Sequence, residues 1–154
     1  MSLPSVSGIL AGGPPGPGQG DAAPGVTGPV TLRLDDEAGQ PAILFFFNAE
    51  MGSSSQYLAG LESLRRAYAG RLAVIAASPS PPGLVKSRIA ATAPGFPVLA
   101  ASDYGRSLGL DGDFCWALVA PGGWVIALRE GRFDWSDEVG QELAALVVGR
   151  YGRR

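Results

Sequence analysis

The 154-residue chain changes hydrophobic rhythm several times, and each change predicts an element. Val30-Thr31-Leu32-Arg33-Leu34 alternates apolar and polar, the period of a short edge strand. Ala42 to Phe47 is continuously apolar and aromatic-rich, too short for an independent helix; it predicts a central strand buried on both faces. A loop from Asn48 to Ser54 follows. Tyr57, Leu58, Leu61, Leu64 and Tyr68 then recur at helical spacing, with Ser53 as N-cap, Gln56 completing a capping box and Gly70 as the stop. Leu72 to Ala77 is a second buried strand, so strand, helix and strand form a βαβ unit with a right-handed parallel crossover.

A Pro/Ser turn from Ser78 to Pro82 leads to a helix from Leu84 to Thr92, ended by Pro94-Gly95. Phe96-Pro97-Val98-Leu99 is a short extended piece, and Asp103 can cap a brief helix through Leu108. Phe114 to Ala120, the turn Pro121-Gly122-Gly123, and Trp124 to Leu128 predict an antiparallel hairpin. A last helix runs from about Trp135 to Gly149, with Asp134 as its cap and Val139, Leu143, Leu146 and Val147 as its apolar stripe. The order predicts an α/β fold, a three-layer α/β/α sandwich around a mixed sheet.

Composition refines the boundaries. Residues 1–29 hold eight Gly and six Pro, which predicts a flexible arm over 1–19 and a single folded domain over 20–154. A net charge of −2 and a pI near 5.0 give no basic face for nucleic acid. No basic amphipathic stretch supports a membrane-surface role, and no apolar run approaches the roughly 20 residues that span a bilayer. The first twenty residues lack the charged start of a signal peptide, so a cytoplasmic chain is expected. The absence of histidine removes the commonest general base and zinc ligand, and no cofactor or metal site is expected. A single cysteine, Cys115, rules out an intrachain disulfide.

Four segments carry a family resemblance. Gly20-Asp21-Ala22-Ala23-Pro24 is similar to the "G-x-x-A-P" that opens redoxin domains. Gly39-Gln40-Pro41-Ala42-Ile43-Leu44-Phe45-Phe46-Phe47 resembles their approach to the central strand, "G-K-P-x-L-L-x-F-F". Phe96-Pro97-Val98-Leu99 followed by Tyr104 to Leu110 resembles "F-P-x-L … A-x-x-Y-G-V". Leu118 to Val125 resembles the hairpin "F-L-I-D-P-D-G-x-I". In this order they resemble the thioredoxin-like superfamily, in its AhpC/TSA branch of peroxiredoxins and thiol-disulfide reductases.

The departures fall on the chemistry. Where the resemblance implies "F-x-x-x-C-x-x-C", the chain reads Phe47-Asn48-Ala49-Glu50-Met51-Gly52-Ser53-Ser54. Met51 stands for the nucleophilic cysteine and Ser54 for the resolving one. The Thr three residues before a peroxidatic Cys is absent, and the family's proline or arginine before the hairpin falls at about Phe114-Cys115. The resemblance therefore implies a redoxin without its dithiol, serving binding or regulation. The alternative is an antioxidant oxidoreductase that uses Cys115 alone.

Each candidate residue has two readings. Met51 is a packing methionine, or a thioether open to reversible oxidation. Ser53, Ser54 and Ser55 cap a helix, or join its N–H groups to hold an anion such as carboxylate or phosphate. Cys115 is a core thiol; in the thioredoxin fold it would instead face the Met51–Ser54 loop as a reactive one. Glu50 reads as solvated. Trp116, Trp124, Phe133 and Trp135 read as core or helix cover, and an exposed pair among them would mark a surface for a protein partner or a second copy. Arg150, Arg153 and Arg154 complement a helix C-terminus.

Overall fold

The computed structural model describes residues 5–12, 29–33, 41–68, 71–90, 92, 94–100, 114–130, 142, 145, 149 and 150. In chain order they form β1 (Ser5–Gly12), β2 (Pro29–Arg33), β3 (Ala42–Phe47), α1 (Ser54–Ala67), β4 (Ala73–Ser78), α2 (Pro82–Ile89), β5 (Val98–Ala100), β6 (Phe114–Ala120) and β7 (Trp124–Glu130). The described strands make one seven-stranded sheet in the order β2-β1-β5-β4-β3-β6-β7.

Its middle is the predicted βαβ unit. β3 and β4 are parallel, with Ala42 opposite Ala73 and Phe46 opposite Ala77, and β5 continues the parallel run beside β4. β6 lies antiparallel to β3, and β7 antiparallel to β6, as the hairpin pattern requires. The sheet is therefore mixed. Gly122 and Gly123 carry φ of 97° and 86°, values open to glycine at little steric cost, and Gly123 N–H closes the turn on Ala120 C=O at 3.0 Å.

The uninterrupted apolar run of β3 is explained by burial on both faces. Ile43, Phe45 and Phe47 join one core cluster with Tyr57, Leu58, Leu61 and Leu64 of α1 and Val85 and Ile89 of α2. Ala42, Leu44 and Phe46 join a second cluster with Ile75, Ala77, Leu99, Ala117 and Val119. Successive residues of a strand point to opposite faces, and the two memberships follow that alternation. β2, expected as an edge strand, lies at the edge of the described sheet and spans Pro29–Arg33; Leu34 lies outside the described residues.

The flexible arm is corrected by β1. Ser5–Gly12 pairs antiparallel with β2 on one side and β5 on the other, so this segment lies inside the sheet. The Gly and Pro content of residues 1–29 as a whole predicts an arm, but β1 itself holds no proline and only two glycines. One of these has a packing reason: a Cβ at Gly12 would collide with Cδ1 of Ile89, so its absence lets α2 approach the strand. α2 also starts two residues earlier than the apolar pattern suggested and ends at Ile89, because Pro82 suits a first helical turn. The brief helix after Asp103 lies outside the described residues. So does most of the last helix, of which Glu142, Ala145, Gly149 and Arg150 are described and helical.

Candidate functional site

The segment that stands in place of a dithiol joins the end of β3 to the start of α1. Asn48 organises it. Its side-chain Oδ1 accepts the Glu50 N–H at 3.0 Å, and its C=O accepts both the Met51 N–H at 3.0 Å and the Ser54 hydroxyl at 2.8 Å. Arg88 of α2 reaches across and donates Nε–H to Ala49 C=O at 2.7 Å. The Ser55 hydroxyl donates back to Arg88 C=O at 3.4 Å. The loop is thus held from its own residues and from a second helix.

This geometry corrects the capping box. Ser53 precedes α1 with φ −65° and ψ −12°, already helical, and its side chain makes no cap hydrogen bond. A capping serine sits in extended backbone so that its oxygen reaches the N–H groups of the first turn; the turn through Met51 to Ser53 removes that geometry. The N–H groups of Ser54, Ser55 and Gln56 instead donate to the carbonyls of Met51, Gly52 and Ser53 at 3.1, 3.4 and 3.1 Å. An anion at this helix start would draw on those donors and on the hydroxyls of Ser53, Ser54 and Ser55. The N–H groups and the hydroxyls of Ser54 and Ser55 are engaged within the protein, and Ser54 is fully buried.

Met51 is half-buried and packs against the core cluster shared by β3, α1 and α2. Beneath α1 that cluster contains Phe45, Phe47 and Phe114, together with Tyr57 of α1 itself. Phe45 stacks with Phe47 and Phe114 at centroid separations of 5.8 and 6.2 Å, and Tyr57 meets Phe114 edge-on at 5.0 Å. Glu50 is exposed, as expected.

Cys115 does not face this loop. Its neighbours Phe114 and Trp116 belong to the α1 side, so the strand alternation turns Cys115 to the opposite face, among Phe46, Ala77 and Ala117. It is 1% exposed. A reactive thiol needs solvent access and a group that stabilises the thiolate, and burial in an apolar cluster opposes both. Trp116 is core, whereas Trp124 is 60% exposed and Ile126 39% exposed on β7. Phe133, Trp135, Arg153 and Arg154 lie outside the described residues, and Arg150 is exposed.

Two turns along α1, Glu62 is the strongest electrostatic feature of the described residues. Its carboxylate accepts a two-pronged contact from Arg65 at 2.9 and 2.8 Å, Arg66 Nε–H at 2.8 Å and the Gly95 N–H at 2.8 Å. The Arg65 hydrogen bonds, with those of Gly95 and Arg66, outweigh desolvation and pull its pKa down from 4.5 to about 2. The pairing raises the pKa of Arg65 in return. Glu62 is buried, and the Arg65 guanidinium lies so close over Gly95 that a Cβ there would meet it at 2.6 Å. The clamp ties α1 to the segment leading into β5. The sequence reading missed it, although Arg65 and Arg66 at i+3 and i+4 from Glu62 were visible.

No protein-family model matches the chain, and neither does any curated protein sequence. Solved structures do. A chain from Chlorobium tepidum carrying the name thiol:disulfide interchange protein DsbE superposes with a TM-score of 0.66 at 22% identity, over 96% of this chain and 99% of that one. The thioredoxin domain of a thiol-disulfide oxidoreductase from Bacteroides vulgatus gives 0.68 at 17% identity, over 96% of each chain. A secreted Mycobacterium tuberculosis disulfide oxidoreductase gives 0.62 at 13%, over 80% of this chain and 90% of that one. The fold is thioredoxin-like. Among the described residues, no helix is long and apolar enough to cross a membrane.

Proposed function

We propose that the chain is a redoxin of the AhpC/TSA type whose fold serves binding or regulation without thiol chemistry. The observation that carries this is the β3–α1 junction. Glu50 to Ser55 contain no cysteine, so sliding the motif by one position in either direction still leaves the helix start without a thiol. Disulfide exchange requires a thiolate to attack sulfur, and the one thiol of the chain is buried on the far side of the sheet. The AhpC/TSA assignment rests on the four sequence segments and their order.

A protein partner or a second copy is the occupant such a module takes. Trp124 and Ile126 on β7 favour this, being large apolar side chains exposed on one edge strand. The acidic balance argues against nucleic acid and anionic membranes as partners. A cytoplasmic location suits a chain that can form no internal disulfide.

Disulfide reduction and peroxide consumption under turnover conditions test the reading. Wild-type protein is expected to match the enzyme-free blank in both assays, and Met51→Cys combined with Ser54→Cys to restore weak activity at most. Multiple turnovers by the wild type would overturn the proposal. Light scattering over a concentration series separates a self-associating module from one that awaits another protein.

A further inference from the structure

The chain carries three sulfur atoms, in Met1, Met51 and Cys115. Cys115 is 1% exposed within an apolar cluster, whereas Met51 is half-buried at the rim of the core, on the loop between β3 and α1. Of these two residues, Met51 is therefore the more accessible to a small oxidant. We propose that Met51 is a modification site for small hydroperoxides, and that its sulfoxide loosens the β3–α1 junction.

The step is a two-electron oxygen transfer. The thioether sulfur attacks the terminal oxygen of the hydroperoxide, an S–O bond forms, and the O–O bond breaks. The proton of the transferred oxygen passes to the departing oxygen, which leaves as water or an alcohol. Sulfur is oxidised and the peroxide reduced, once per molecule, so the reaction differs from catalytic turnover. It is independent of whether the chain binds a partner.

The consequence follows from the place of Met51. Its side chain packs on the cluster under α1, while its N–H and C=O close the turns to Asn48 and Ser54. A sulfoxide is polar and is destabilised against that apolar surface, since burying its oxygen without a donor is unfavourable. Moving the side chain outward pulls on the same turns that seat the first residues of α1. Arg88 and Ser54 hold the loop through Ala49 and Asn48, so the disturbance is resisted at the loop's start and concentrated at Met51.

The test uses the folded full-length chain treated with hydrogen peroxide and quenched with free methionine, followed by peptide mass mapping and urea unfolding. One oxygen is expected on the Met51 peptide and none on the Cys115 peptide. The urea midpoint should fall by roughly 0.5–1 M, by analogy with other buried polar groups. Met51→Leu, a volume-conserving change, should keep its midpoint after the same treatment. Three results would overturn the proposal: a Met51 that stays reduced at a dose oxidising free methionine, a midpoint unchanged by oxidation, or an equal fall in Met51→Leu.

Discussion

At the scale of single residues, Glu62 and Ser54 make polar contacts that the core depends on. The folded pKa of Glu62 is depressed to about 2 from 4.5, so its stabilisation is complete above pH 4.5 and disappears as pH falls toward 2. Glu62→Gln is expected to destabilise the protein by about 2–3 kcal/mol at pH 7, with the gap from wild type narrowing below pH 4 in paired urea titrations. Arg66 is mostly exposed, so removing it alone should matter far less than removing Arg65. Ser54→Ala deletes a buried hydroxyl that donates to Asn48 C=O and should cost about 1–2 kcal/mol, read as a shift in thermal midpoint. An unchanged midpoint would mean that the hydroxyl does not hold the loop.

At the scale of elements, the two faces of β6 set the chemistry of its cysteine. A strand offers alternate residues to alternate sides, so placing Phe114 and Trp116 under α1 commits Cys115 to the other face. A thiol reagent is accordingly expected to leave Cys115 unmodified in native protein and to label it fully in denaturant; rapid native labelling would contradict the burial. Much of this level was legible beforehand. The runs Ala42 to Phe47 and Phe114 to Ala120 carry enough apolar character to specify buried strands, and Gly122-Gly123 marks the turn between β6 and β7. The helix start misled because a serine followed by Gln56 fits a capping box, whereas Asn48, three residues upstream of Met51, controls how the chain arrives there.

At the scale of the whole molecule, β1 is the element that enlarges the sheet. It stands between β2 and β5, contributes Ala11 to the core and brings Ile9 against it. Deleting Met1 to Gly12 would strip β5 of a neighbour and α2 of the strand it rests on. A loss of several kcal/mol or a loss of cooperative unfolding is expected, measured by urea denaturation. A truncated chain with an unaltered midpoint would return the segment to the role of a dispensable arm.

The residues alone determined the α/β class, the βαβ centre, the hairpin and the lack of a dithiol, because these depend on local hydrophobic period, turn chemistry and residue identity. Tertiary structure alone decided the rest. Strand pairing recruited Ser5–Gly12 into the sheet, since hydrogen bonds to distant β5 leave no local signature. Packing register turned Cys115 away from Met51. A backbone N–H at Gly95, 33 residues from Glu62 in sequence, completed a carboxylate clamp that i+3 and i+4 spacing could only half suggest. Each of these is a contact between segments far apart along the chain, and such contacts are chosen by which surfaces the folded core brings together.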